Sequence, residues 1–181
     1  NKSVLTKYRV YSCKTVFLNG KIESIYDSKC PSYGYYFGNS EDGRELWKIY
    51  YPFRKTFRFL GNIKTTTIQG YNQLPKKSKL LVITKSLKDV MVLYNLGIAA
   101  IAPQSETQFI EDKVLEDLRR RFKYIVLVFD NDQTGVEFTN KIKHKYSWIT
   151  PMIIPRRYKA KDISDFYKMY GKDNTIALIK E

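Results

Sequence analysis

The chain is poor in the residues that bind soft metals or staple small folds. Its 181 residues include two cysteines, Cys13 and Cys30, and one histidine, His144. There is no CxxC pair, and three residues cannot supply the roughly four N/S ligands of a zinc site. Iron or zinc chemistry built on histidines is thereby set aside. Two isolated cysteines fit free thiols in a reducing compartment better than a disulfide framework. Apolar runs are short: none approaches the ~18 residues of a membrane span, and no signal peptide opens the chain. The chain does not begin with methionine, so Asn1 reads as the start of a piece of something longer. Acidic residues are scarce too, 18 against 32 Lys and Arg, which leaves a net charge of +14 and a pI near 9.6. Hydrophobic residues at 43% exclude a disordered tail, and the length suits one compact domain or two small ones. The charge calls for a polyanionic partner, and composition does not separate DNA, RNA, nucleotides and membrane lipid.

The best candidate joint lies between Asn72 and Ser78, through Leu74-Pro75-Lys76-Lys77, dividing the chain into 1–77 and 78–181. The first part carries 14 basic and 5 acidic residues, the second 18 and 13, so most of the excess charge precedes the joint and most carboxylates follow it. The first part reads as short strands rich in Tyr, Phe and Lys, punctuated by Asn19-Gly20, Tyr33-Gly34, Asp42-Gly43 and Gly61-Asn62. Asp42-Gly43 between Tyr35-Tyr36-Phe37 and Leu46 to Tyr50 predicts a hairpin. The second part alternates. Apolar strands are expected at 80–84, 98–102, 124–129 and 152–154. Helical spacing is expected at 87–96, 112–122 and 136–145, with a short helical tail at the end. Continuous apolar strands separated by helices describe a parallel sheet covered on both faces. Ligands of such sheets collect at the carboxyl ends of the strands, where strand order reverses.

Those ends are chemically loaded. The first carries Thr84-Lys85-Ser86-Leu87-Lys88-Asp89, the second Pro103-Gln104-Ser105-Glu106, the third Asp130-Asn131-Asp132-Gln133-Thr134-Gly135. The fourth is followed by Arg156, Arg157, Lys159, Lys161, Asp162, Ser164 and Asp165. Two aspartates separated by one residue repel unless a cation lies between them, and a hard divalent ion shared with substrate phosphate is the usual solution. Gly135 then allows a sharp turn into the next helix. Three rival readings exist for this stretch. An EF-hand loop would need a bidentate Glu where Lys141 stands. An aspartyl phosphotransferase resembling the haloacid-dehalogenase superfamily would place the signature after its first strand, not its third. A plain helix cap explains Asp132 and leaves Asp130 unexplained.

The ordered set resembles the Toprim domain shared by bacterial-type primases, topoisomerases and some nucleases. The resemblance rests on Leu81 to Met91 with Asp89, on Val128 to Gly135 with its Asp-x-Asp, and on the later Lys161-Asp162. The phage-type primases are the nearest branch. Lys48 to Phe53, Phe57 to Asn62 and Ile68 to Pro75 resemble the basic subdomain that precedes Toprim in those enzymes. The likeness covers roughly 8–172. It implies an α/β fold, a four-stranded parallel Toprim sheet with flanking helices preceded by a small strand-rich α+β subdomain. It implies a DNA primase core that makes short RNA primers on single-stranded DNA from ribonucleoside triphosphates, with Mg²⁺ or Mn²⁺. Asp130 and Asp132 take the metal role, Asp162 and Asp165 match a second acidic pair spaced one residue wider than in bacterial primases, and Asp89 ends the first motif. Lys48, Arg54, Lys55, Arg58, Asn62, Lys85 and Lys88 are the expected nucleotide and nucleic-acid contacts. A replicative helicase, fused or separate, is the implied partner, no membrane is involved, and the bacterial host cytoplasm is the implied location for a phage protein.

One departure stands out. Lys85 occupies the position of the Toprim glutamate at the end of the first strand, and Ser86 replaces the usual glycine. A lysine neither ligates Mg²⁺ nor acts as a carboxylate base at neutral pH. Either activity is lost or the carboxylate has moved, and Glu106, ending the adjacent strand, is the physical candidate for a catalytic role beside Asp130 and Asp132. Two alternative functions follow: a catalytically impaired Toprim module that binds nucleic acid, or a Toprim nuclease. The run Arg119-Arg120-Arg121 closes a helix, where cations suit the macrodipole and solvent. His144 and its lysine neighbours read as a soluble helix face.

Overall fold

Tyr and Phe in short alternating runs, and Leu, Val and Ile in unbroken ones, build two different sheets. The structure, a computed structural model, describes residues 1–104 and 109–180. It separates into two units, Asn1–Lys64 and Thr65–Glu181.

The first unit opens with helix α1 (Lys2–Lys7), where the Asn1 side chain accepts from the Ser3 N–H. Six residues are too few to show a 3.6-residue period, so this helix left no trace in the pattern. Strands β1 (Val10–Ser12), β4 (Tyr33–Asn39), β5 (Glu45–Tyr50) and β6 (Phe59–Gly61) form an antiparallel sheet in the order β1-β4-β5-β6. Strands β2 (Thr15–Leu18) and β3 (Lys21–Ile25) make a separate hairpin. Its turn is Asn19-Gly20, both at positive φ (51° and 77°), as a two-residue turn matched to strand twist requires. The expected β4–β5 hairpin is present around Asp42-Gly43. Gly34 and Gly61, read as turn signals, instead lie within strands. A Cβ at Gly34 would come within 3.0 Å of the Trp47 ring and one at Gly61 within 2.5 Å of the Trp47 carbonyl, so both glycines make room for Trp47.

The second unit carries the parallel sheet. Strands β7 (Ser78–Thr84), β8 (Ala99–Ile101), β9 (Phe122–Val128) and β10 (Ile149–Met152) lie in the order β10-β9-β7-β8, all parallel. Central β7 and β9 are covered on both faces, which is why Leu81, Val82 and Ile83 are fully buried in succession. Leu81, Ile83, Ile125, Leu127 and Phe129 share one face with Leu115 and Leu118 of helix α3 (Asp112–Arg121) and Ile142 of helix α4 (Gln133–Lys145). Helix α2 (Leu87–Asn95) packs on β8 and against helix α5 (Ile163–Lys180). The expected short tail is therefore an 18-residue helical segment, broken at Gly171 (φ 77°). The last strand lies earlier than expected, at Ile149–Met152, because Pro151 is tolerated on a sheet edge and Ile154 is buried beyond the strand end. Among the described residues no helix is long and apolar enough to cross a membrane.

The boundary between units falls after Lys64, not after Lys77. Gln69 exchanges both backbone hydrogen bonds with Ala102 (2.8 and 3.0 Å), and Ile68, Tyr71 and Leu74 pack on the core beneath α3. Arg121 then donates to the carbonyls of Lys76 (3.1 Å) and Pro75 (3.0 Å) and to the Tyr71 hydroxyl (3.3 Å). One end of the Arg119–Arg121 run is thus an internal tie rather than a solvated cation.

Gly135 has a packing role too. A Cβ there would lie 2.2 Å from the Asp130 carbonyl oxygen, so the first turn of α4 sits against the end of β9 only because the side chain is absent. Gly135→Ala should therefore destabilise the second unit by about 1–3 kcal/mol, as overpacking does, read as a lowered urea midpoint with an unchanged slope.

Candidate active site

The chain runs from β7 to β8 on one side, then returns past β7 to place β9 on the other. Strand order therefore reverses between β7 and β9, whose last residues Thr84 and Val128 are paired. Lys85 and Asp130 extend these two strand ends and meet there, Lys85 Nζ donating to Asp130 Oδ2 at 2.6 Å. Lys161, from the loop before α5, reaches the same oxygen at 3.1 Å and Asp132 Oδ2 at 3.1 Å. Asp130 is 3% exposed, and its Oδ1 has no hydrogen-bond partner among the described residues. Asp132 is the N-cap of α4, with Oδ1 accepting from the Gly135 N–H (3.0 Å). That amide and the Lys161 ammonium hold the Asp132 carboxyl below its ordinary value, and Asp130, with Asp132, holds Lys161 above its own.

The loop carrying Lys161 is positioned by Asn131, whose Nδ2 donates to the carbonyls of Ile154 (3.2 Å) and Ala160 (2.9 Å). Asp132, Gln133, Arg156, Lys159 and Lys161 face an open cleft of about 530 Å³. Arg156 and Lys159 form no ion pair or side-chain hydrogen bond among the described residues, which leaves that cleft cationic.

Asp89 and Asp162 do different work. Asp89 Oδ2 accepts from the Ser86 hydroxyl (2.6 Å), and Oδ1 accepts from the Ser164 N–H (3.0 Å) and hydroxyl. This joins the start of α2 to the start of α5. Burial, and next the nearby Asp162 charge, push the Asp89 carboxyl up to about 6. Asp162 Oδ1 accepts from the Asp165 N–H (2.7 Å) as a cap of α5, while Oδ2 accepts from Lys88 Nζ (3.2 Å).

In the first unit, Lys48 Nζ lies 4.6 Å from the Phe59 ring centroid, and burial lowers its pKa to about 8. Arg58 donates to the Tyr50 hydroxyl (3.0 Å) and the Pro52 carbonyl (3.2 Å), and Lys55 is exposed. Arg54 pairs with Glu23 at 2.8 Å and lies 3.6 Å over Tyr51. Asn62 accepts from the Trp47 N–H (2.8 Å) and donates to the Glu45 carbonyl (2.8 Å). Arg54 and Asn62 thus use their polar groups to hold the fold.

Residues 82–167 match the family model described as Toprim-like. This segment is thus similar to the Toprim-like family over a little under half of the chain. The whole chain has the fold of primase catalytic cores. The DnaG catalytic core superposes with a TM-score of 0.71 at 12% identity, over 99% of this chain and 68% of that one. The primase fragment of the bacteriophage T7 primase-helicase gives 0.65 at 15% identity, over 98% and 69%. A DnaG primase catalytic domain bound to single-stranded DNA gives 0.67 at 13% identity, over 99% and 69%. Among curated proteins, no sequence matches significantly.

Asp89, Asp130, Asp132, Asp162 and Asp165, the expected metal set, are not gathered into one group among the described residues. Among the described residues no three acidic, His or Cys side chains form a metal-holding group. Three of the five are engaged locally: Asp89 accepts from Ser86 and Ser164, and Asp132 and Asp162 each give one oxygen to a helix N-terminus. Glu106 lies outside the described residues. Lys161, Asn131 and Ser164 were absent from the expected set. Lys161 had a legible signal, a cation directly before Asp162, whereas the other two act through contacts that only the fold creates.

Because Asp89 is protonated more readily in the folded chain than at the ordinary carboxyl value of about 3.9, the stability tied to it is fully present below about pH 4. It is lost as pH rises through about 6. Asp89→Asn keeps acceptors for Ser164 and should flatten the fall in urea midpoint between pH 4 and 7.

Proposed function

We propose that the chain is the catalytic core of a DNA primase, synthesising short RNA primers on single-stranded DNA by metal-dependent nucleotidyl transfer. One observation carries the reading: a buried carboxylate at the switch point, Asp130, with one oxygen held by two lysines and the other without a partner among the described residues. Leaving such an oxygen unsatisfied costs about 1–3 kcal/mol, which is tolerated where a ligand completes it.

The donor set fits a hard divalent ion shared with substrate phosphate, Mg²⁺ or Mn²⁺, held by Asp130 and Asp132, and does not fit an all-protein cage. Such an ion, when bound, neutralises phosphoryl oxygens and lowers the pKa of the attacking hydroxyl. The chain's own residues do the rest. Lys161, which bridges the two carboxylates, would pair with substrate phosphate oxygens. Lys85 keeps the remaining Asp130 oxygen oriented, while Arg156 and Lys159 offer the cleft wall to the departing pyrophosphate. Lys88, ordered by Asp162, adds positive charge at the start of α2. The 3′-hydroxyl of one nucleotide attacks the α-phosphate of the next. Asp89 and Ser164 position this edge, and Glu106 supplies the carboxylate that Lys85 displaced. In the first unit, Lys48, Lys55 and Arg58 meet the template backbone. The primase-helicase and single-stranded-DNA-bound relatives support a single-stranded template and a helicase partner, fused or separate, and we place the chain in the cytoplasm of a bacterial host.

A second reading, a non-catalytic Toprim module that binds nucleic acid, is favoured by the Lys85–Asp130 pair itself, a cation where an acid is expected.

The test is incorporation of labelled ribonucleoside triphosphates on single-stranded DNA, with and without a pre-annealed primer. Product should require Mg²⁺ or Mn²⁺ and fall at least about 100-fold in Asp130→Ala. Glu106→Gln should lower it as well, and an unchanged rate removes Glu106 from the mechanism. A silent wild-type chain that gains extension as Lys85→Glu establishes the second reading. Metal-dependent strand cleavage without extension points to a nuclease.

A further inference from the structure

The loop between β5 and β6 holds two phenylalanines in water. Phe57 is 79% exposed and Phe53 67%. Phe57 also has φ of 48°, a left-handed conformation that bulky side chains rarely adopt. A hydrophobic ring on a strained, solvated backbone persists only where its surroundings dictate it.

The surroundings do dictate it. The Tyr51 N–H donates to the Arg58 carbonyl at 2.8 Å, closing the loop at its neck. Arg58 donates to the Pro52 carbonyl (3.2 Å) and to the Tyr50 hydroxyl (3.0 Å) from the far side. Arg54 is clamped between Glu23 and the Tyr51 ring. These contacts tie the loop back to β5 and its neighbours while both rings stay exposed. Beside them, Phe59 stacks on Tyr50 (4.9 Å, 17°) with the Lys48 ammonium over its face.

The partner chemistry follows from the charge. From Lys48 to Phe59 the chain contains four cations, Lys48, Arg54, Lys55 and Arg58, and no acid. Flat apolar rings interleaved with cations match a polymer whose backbone is anionic and whose bases have exposed faces. Duplex DNA hides those faces and single strands present them.

We propose that Phe53 and Phe57 are base-stacking platforms for single-stranded nucleic acid, with Lys55 contacting its phosphates. This deepens the template side of the reading above. The test omits metal and triphosphate, so its result does not depend on whether the chain synthesises primers.

The experiment measures the affinity of the full chain for a dT16 oligonucleotide across salt concentrations, for wild type, Phe53→Ala/Phe57→Ala and Lys55→Ala. Loss of two stacked bases should weaken binding at least about 30-fold at every salt concentration, with the slope of log K against log salt unchanged. Lys55→Ala should instead reduce that slope by about 0.7. Phe57→Trp should retain wild-type affinity and show indole quenching on addition of the oligonucleotide. Because both rings already face solvent, the alanine variant should unfold at the wild-type urea midpoint. Unchanged affinity in a folded Phe53→Ala/Phe57→Ala variant, or an indole of Phe57→Trp that the oligonucleotide does not quench, overturns the proposal.

Discussion

A carboxylate cannot stay ionised inside a sheet unless cations accompany it, and the carboxyl edge of this sheet is organised around that requirement. Asp130 lies two residues beyond the end of β9, the strand covered on both faces, and is buried together with Phe129. Its charge is balanced by Lys85 from the adjacent strand and Lys161 from the loop before α5. Removing one partner of such a pair leaves a costly uncompensated charge, although the part-exposed lysines soften that cost. The geometry of β7, β9 and the α5 loop therefore all converges on one oxygen atom.

The other acids of the edge follow a related logic. Asp132 and Asp162 each turn one oxygen to a helix N-terminus and the other to a lysine. Capping fixes the carboxylate's orientation, and the lysine waits on its open side. Asp89 is the exception, with both oxygens accepting from Ser86 and Ser164, and it works as a rivet between two helices. An edge that reads as five equivalent acids is thus a set of distinct parts. Cations hold the positions where phosphate and metal chemistry would otherwise demand them.

Glycine illustrates how the same residue acts through different physics. Asn19-Gly20 makes a turn because both residues take positive φ. Gly34, Gly61 and Gly135 take no such angle, and each instead leaves space for a neighbouring ring or carbonyl. A sequence shows the glycine and not the neighbour, so the turn at Asn19-Gly20 was legible and the three close approaches were not. Arg121 is a parallel case. Its place at a helix C-terminus suggested solvation, and its tie to Pro75 and Lys76 shifts the unit boundary.

The parallel sheet, its covering helices and the chemistry at strand ends were legible because unbroken apolar runs and helix-period stretches alternate along the second unit. The pair Asp130 and Asp132 stood out for the same reason: two acids directly after a buried strand have few structural explanations. What only the tertiary structure decided were the partners. Lys161 lies 31 residues from Asp130 along the chain and Ser164 lies 75 from Asp89, distances over which no local spacing carries a signal. Local periodicity records which face of an element is buried. Which charge meets which is set by how the elements cross, and that is a property of the folded chain alone.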